Sequence, residues 1–164
     1  MEPVTYISSL LTFYIKGEIS SQQNFIRFKE PNTILGLIPL GAKNESVPIT
    51  QITSTKSNFK MRLGKLILGI IIAVLGLTLF QSTFIGGLIV LIIGVNAIID
   101  AFEIDLQVFM TSGQIKSIDF FIFEKQKAEL AEREILAMIS NRLDDTNNRQ
   151  QTDRIVDAIN NSRG

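Results

Sequence analysis

The chain contains no cysteine and no histidine. The first absence excludes disulfides and thiol chemistry. The second removes the commonest neutral-pH acid–base group and transition-metal ligand. A Gly-rich phosphate loop is also missing, because Gly86-Gly87 lies inside an apolar run with no Lys-Ser/Thr after it. With no nucleophile–base set in view, the expectation is a protein that is not an enzyme and uses no cofactor or metal. Asp100, Glu103 and Asp105 form a carboxylate trio of the type that holds divalent ions. More often such residues mark a helix end and face water, and that is the expectation here. No nucleic-acid partner is expected, since no basic face with interleaved aromatics stands outside one short strip. The opening Met1-Glu2-Pro3 has no basic n-region, so no cleaved leader is expected.

What the chain does have is an apolar run from Leu66 to Ile99, interrupted once by Gln81-Ser82-Thr83. As one helix it would measure about 50 Å at 1.5 Å per residue. A hydrocarbon core is only about 30 Å thick. Two helices fit better, Met61 to Phe80 and Phe84 to Phe102, with Gln81-Ser82-Thr83 as a tight polar turn. Neither half keeps a polar face, unlike a core helix of a soluble protein. The reading is a transmembrane helical hairpin over residues 61–102. Lys56, Lys60, Arg62 and Lys65 precede it, with no acidic residue after Glu45 and no charge in the turn. The positive-inside rule puts that flank in the cytoplasm. The hairpin then returns the chain to the same side, predicting a multi-pass protein of the cytoplasmic membrane with both termini cytoplasmic.

Gly69 and Gly76 share one helix face, as do Gly87 and Gly94, and small residues let backbones approach closely in a membrane. They pack either the two helices on each other, the plainer reading, or one protomer on the next. Asn96 has the same two options for a hydrogen bond. The four basic residues also have two compatible readings. They set topology, and they contact anionic lipid headgroups, worth about 1 kcal/mol per basic residue near the surface.

Outside the run, about 120 residues suffice for one small domain plus tails. Residues 1–65 carry eight basic and four acidic residues, and residues 100–164 carry eight basic and twelve acidic. Flanks of opposite charge suit two pieces that associate. Residues 1–12 read as an extended lead-in or a short amphipathic helix with Val4, Ile7, Leu11 and Tyr14 on one face. The first half of a β domain, residues 13–60, follows. Phe13–Ser20 alternates, Ser21-Gln22-Gln23 turns, and Phe25–Lys29 returns. Thr33–Leu40 is a third, more apolar strand, Gly41–Glu45 a loop, and Ser46–Ile49 and Ile52–Ser57 complete the piece.

After the hairpin, residues 103–143 hold the second half. Ile104, Leu106, Val108 and Met110 alternate with polar partners, Ser112-Gly113 is a hairpin turn, and Ile115–Ile122 pairs back. A helix from about Glu124 to Leu143 carries Ala128, Ala131, Ile135, Met138, Ile139 and Arg142 on one stripe. Residues 144–164 form a polar tail, flexible over Asp144–Thr152, with one more short helix over Asp153–Asn160.

Neither flank alone holds enough residues for a stable core. Together they make an α+β unit of antiparallel strands and a C-terminal helix, interrupted where a helical hairpin brings the chain back to its start. The order of these strands, with Val47-Pro48-Ile49-Thr50-Gln51-Ile52, Asp105-Leu106-Gln107-Val108, the Ser112-Gly113 turn and Phe123-Glu124-Lys125, resembles the bacterial pleckstrin-homology-like domains. It is similar in particular to the small membrane forms that carry a transmembrane hairpin within the domain. The resemblance spans residues 13–143 and implies a seven-strand, strongly bent sheet or barrel capped by the helix. Six strands are read from the sequence, and the seventh is either Ser46–Ile49 or missing. The resemblance also implies a binding module that meets membrane lipids, a protein or peptide partner, or further copies of itself as a homo-oligomer. Some members of the group are linked to bacteriocin immunity, which is the alternative function.

Overall fold

The computed structural model describes residues 2–10, 13–34 and 38–162. Among these described residues, seven strands make two antiparallel sheets. The first sheet runs in the order β1 (Val4–Tyr6), β2 (Gly17–Gln22), β3 (Phe25–Ile34) and β4 (Ile38–Pro48). A 3-10 turn, Ile49–Gln51, leads to the second sheet of β5 (Ile52–Met61), β6 (Phe102–Met110) and β7 (Ile115–Phe121). Between β5 and β6 stand two helices, α1 (Leu63–Phe80) and α2 (Phe84–Ile99), and after β7 comes α3 (Lys125–Ser162). The architecture is α+β, with two antiparallel sheets and a C-terminal helix. One helix, α1, is long and apolar enough to cross a membrane by length and composition, and α2 is a shorter apolar helix.

The core lies between the sheets and α3. Ile19, Ile26, Phe28 and Val47 enter from the first sheet. Ile104, Leu106, Val108, Ile118 and Phe120 come from the second, and Ala128, Ala131 and Ile135 from α3. The alternation read for β6 and β7 is observed in the direction of the side chains, which point to opposite faces by turns. Ile104, Leu106, Val108, Ile118 and Phe120 enter the core, while on the other face of β6 Glu103 and Asp105 are buried as well. Gly113, at φ +80°, makes their turn.

Elsewhere the strands differ from the sequence reading. Of the two readings of the lead-in it is the extended one that is observed, over Val4–Tyr6, where Val4 and Tyr6, two apart, are buried and Val4 pairs with Ile19. Tyr6 stacks on Phe120 at 4.3 Å between ring centroids. A Cβ on Gly17 would strike the Tyr6 ring, so that glycine lets β1 close on β2. This three-residue strand, and not Ser46–Ile49, is the seventh. Leu11 of the proposed helical face lies outside the described residues.

β2 starts at Gly17, four residues later than the alternation suggested, and turns at Gln23-Asn24 with Gln23 at φ 55°. The stretch read as a loop, Gly41–Glu45, is strand, because Asn32 to Phe28 of β3 pair with it residue by residue. Of the third strand read over Thr33–Leu40, residues 35–37 lie outside the described residues. Pro31 is tolerated in β3 because β2 stops pairing at Lys29, leaving no partner for the missing donor.

The tail is also corrected. Helix α3 is continuous for 38 residues, about 57 Å at 1.5 Å per residue. Its distal half contains no Gly or Pro. An Arg149–Asp145 pair at 3.2 Å braces it, and the Thr146 and Thr152 hydroxyls donate to carbonyls one turn back.

One polar clamp ties the two sheets together. Lys116 of β7 is 8% exposed and forms ion pairs with Glu30 of β3 and with Glu45 of β4, the latter at 2.7 Å. Burial by itself pulls the Lys116 pKa down, but the Glu30 and Glu45 hydrogen bonds and charges outweigh it and raise the pKa. The Lys116 hydrogen bond lowers the Glu45 pKa. A depressed carboxylate stabilises the fold above its ordinary pKa of 4.5, and that contribution disappears as pH falls through the depressed value. A raised lysine stabilises below 10.5, and the contribution goes as pH rises through the raised value. Lys116→Met is expected to cost about 1–2 kcal/mol at neutral pH, a figure discounted because both carboxylates are partly exposed. Thermal melts across pH should show this deficit throughout the neutral range and shrinking at both acid and alkaline extremes.

Candidate functional site

The chain's charged and apolar features meet where α1 and α2 join the second sheet. Arg62 is the single residue between β5 and α1, and Asp100-Ala101 are the only residues between α2 and β6. The Arg62 N–H donates to the Ala101 carbonyl at 2.8 Å, holding the two crossing points together. Met61 pairs with Phe102 at the ends of their strands.

Lys56 and Lys60 lie on β5, and Lys65 lies in the first turn of α1. Lys60 Nζ is 3.3 Å from Asp119 Oδ1 and 3.6 Å from Asp105 Oδ2. Arg62 Nε is 2.7 Å from Glu103 Oε2, and its Nη2 pairs with Asp119. Lys65 Nζ is 2.6 Å from Glu103 Oε1. Three cations thus face three carboxylates, and strand register explains why. Lys60 pairs with Glu103, and Asp105 pairs with Asp119, so their side chains share the outer face of the sheet. Lys56 is exposed and makes no ion pair among the described residues.

Glu103 is 2% exposed. Burial raises its pKa, as does the Asp119 charge, and the Lys65 and Arg62 contacts offset this only in part. The carboxylate trio therefore does not face water as the sequence suggested. Lys65 and Arg62 cover Glu103, while Lys60 and the Gln107 amide engage Asp105. Asp100 Oδ1 accepts from the Leu10 N–H at 3.2 Å, and its Oδ2 accepts from the Ser9 hydroxyl. Among the described residues no group of three or more acidic side chains is arranged to hold a metal ion.

The four glycines lie between α1 and α2. A Cβ on Gly69 would meet Ile98, one on Gly76 Leu91, one on Gly87 Phe80, and one on Gly94 Ala73, each within 3 Å and mostly against backbone. That pattern runs the helices antiparallel and in close contact. It assigns all four glycines to the pairing of α1 with α2. Asn96 is buried near the base of the pair, and its Oδ1 meets no donor among the described residues. The other side chains of both helices are exposed or half-buried.

Sequence reasoning found the basic strip and the glycines but missed Asp119 as the anion that links Lys60 to Arg62. It also missed Glu132 of α3, whose carboxylate accepts from the Ser57 N–H of β5 at 3.2 Å. The opposite charges of the two flanks were the only signal for the first of these. No family model, no curated protein and no solved structure matches the chain.

Proposed function

We propose that the protein is a non-enzymatic, membrane-anchored module with a pleckstrin-homology-like fold. In this reading α1 and α2 cross the cytoplasmic membrane as a hairpin, and both termini lie in the cytoplasm. The observation that carries it is the outward face of the helix pair. Within the two helices only the glycines between them and Asn96 are buried, while large aliphatic side chains stand uncovered on both. An exposed apolar surface of that extent marks a membrane or protein contact, and the basic approach to α1 with an uncharged turn favours a membrane orientation. Four strands against three with a C-terminal helix on the core support the likeness in fold.

The module would bind a protein, a peptide or lipid at the membrane face. Of the basic strip, Lys56 alone has no ion pair among the described residues, so Lys56 is the first candidate for a lipid headgroup. Self-assembly no longer draws support from the glycines, which serve the helix pair. It rests on the outward aliphatic faces and on the distal half of α3, where Ile155 and Val156 are exposed.

Absence of native cysteine makes the topology directly testable. With Ser82→Cys and Ser112→Cys made singly, a membrane-impermeant maleimide should label Ser82→Cys only from outside intact cells and Ser112→Cys only from the cytoplasmic side. Labelling of both from one side would refute the hairpin.

A further inference from the structure

We propose that the end of the β domain next to the helices is itself a lipid-binding surface, seated in the boundary between headgroups and acyl chains. This rests on the reading that α1 and α2 cross a membrane. Geometry leaves the domain little freedom to stand off. One residue on one side and two on the other connect sheet to helices, and the Arg62–Ala101 hydrogen bond bridges the gap. Strand ends and helix ends are therefore within a few residues of the same level.

The side chains at that level are sorted by chemistry. On the outer face of the second sheet, Lys60, Arg62 and Lys65 are neutralised by Glu103, Asp105 and Asp119. The opposite face continues the core, yet its last residues are uncovered. Phe59 is 61% exposed and Met61 44%, and Phe59 stacks on half-buried Phe102 at 6.2 Å. Helix α3 hydrogen-bonds β5 at Thr55 and Ser57, through Glu132, while the next residues on that face, Phe59 and Met61, stand exposed among the described residues. A second apolar group arrives on the segment between β1 and β2. Asp100 holds that segment against the end of α2 through Ser9 and Leu10. It carries Leu10, Phe13 and Tyr14, with Phe13 at 62% exposure.

Helix length gives an independent reason. With 18 and 16 residues, α1 and α2 span about 27 and 24 Å, less than the roughly 30 Å of a hydrocarbon core. A short span is accommodated by thinning the bilayer or by drawing flanking groups inward. The flanking groups here include exposed Phe59, Met61 and Phe13, and the half-exposed cations Lys60, Arg62 and Lys65 are already paired with carboxylates. A lipid boundary fits that arrangement better than a protein partner, because the surface is continuous with the uncovered faces of the helices.

The chain has no tryptophan, so single substitutions report depth without background. Phe59→Trp and Phe13→Trp test the boundary, Ile92→Trp reports the middle of α2, and Phe25→Trp, beside the β2–β3 turn, is the distant control. Each protein is reconstituted in phosphatidylcholine–phosphatidylglycerol vesicles containing lipids brominated either high or low on the acyl chain. Ile92→Trp should be quenched most by the deep bromines. Phe59→Trp and Phe13→Trp should show blue-shifted emission quenched about two-fold by the shallow ones, as expected for side chains about 5–10 Å into the boundary. Phe25→Trp should be quenched by neither. Quenching at Ile92 with red-shifted, unquenched emission at Phe59 and Phe13 would overturn this inference and leave the membrane reading standing. Blue-shifted but unquenched emission would overturn it in favour of a second copy covering the surface. No quenching at Ile92 would remove both.

Discussion

Gly76→Ile and Gly94→Ile are each expected to lower stability by about 3 kcal/mol, the upper part of the range for overpacking a filled site. At both positions a Cβ already falls within 3 Å of backbone on the facing helix, so the neighbour cannot yield by changing rotamer. The helices must separate, and the close contact is lost along their length. In detergent the melting temperature should fall by about 6–12 °C for a chain of this size. The adjacent pair Gly86 and Gly87 gives the sharper comparison. Gly86→Ala meets only the Thr83 side chain at 3.5 Å or more, whereas a Cβ at Gly87 runs into the Phe80 and Leu79 backbone. Gly86→Ala should therefore be neutral or stabilising by up to about 1 kcal/mol, since alanine has the lower entropic cost in a helix. Gly87→Ala should destabilise. Equal melting temperatures for the two alanine variants would mean that α1 and α2 do not pack through this face.

Replacing Arg62 and Lys65 together by glutamine should be the more damaging change at the joint. Their removal leaves Glu103 buried without either cation that contacts it, and breaking a buried pair from one side typically costs about 3–5 kcal/mol. The reverse change, Glu103→Gln, should cost less. Both cations are more than a third exposed and can be hydrated, and Arg62 keeps Asp119. The pH dependence distinguishes a stranded charge from lost packing. Burial already raises the Glu103 pKa, and loss of the cations raises it further. A carboxyl whose folded pKa exceeds its unfolded value favours the folded state as pH falls between the two. The deficit of the double variant should thus narrow as pH is lowered from neutral toward the ordinary carboxylate range, and adding Glu103→Gln should recover most of it. Melts of all four proteins at several pH values are the measurement, and a deficit independent of pH would reject the charge argument.

The parts legible in the sequence were those whose signal is local. Composition alone placed the two apolar helices to within three residues at each end. Strict alternation and a Ser-Gly turn placed β6 and β7, and the stripe from Ala128 to Ile139 identified the core face of α3. Pairing partners decide the rest. Gly41–Glu45 has loop composition, yet it is strand because β3 supplies its hydrogen bonds. Val4–Tyr6 is too short for any periodicity, and only the contacts with Gly17 and Phe120 show why Tyr6 is buried. Residues 144–152 looked too polar to order, but their i,i+4 contacts continue the helix. The charge network was legible only as an imbalance between flanks, because opposite Lys60 stands Glu103 by register and not by any local motif.

The close pairing of α1 and α2 also bears on how the second sheet is assembled. Strands β6 and β7 are joined by a tight turn, so their pairing needs little loop closure. Strands β5 and β6 pair with 40 residues, 62–101, between Met61 and Phe102. If that stretch were a flexible loop, closing it would cost about 2–3 kcal/mol more than closing a two-residue turn, from the logarithmic dependence on loop length. The rigid helix pair brings Arg62 and Ala101 within hydrogen-bonding distance and so does for β5 and β6 what a tight turn does for their neighbours. In chain-entropy terms, the longest insertion in the molecule behaves as one of its shortest connections.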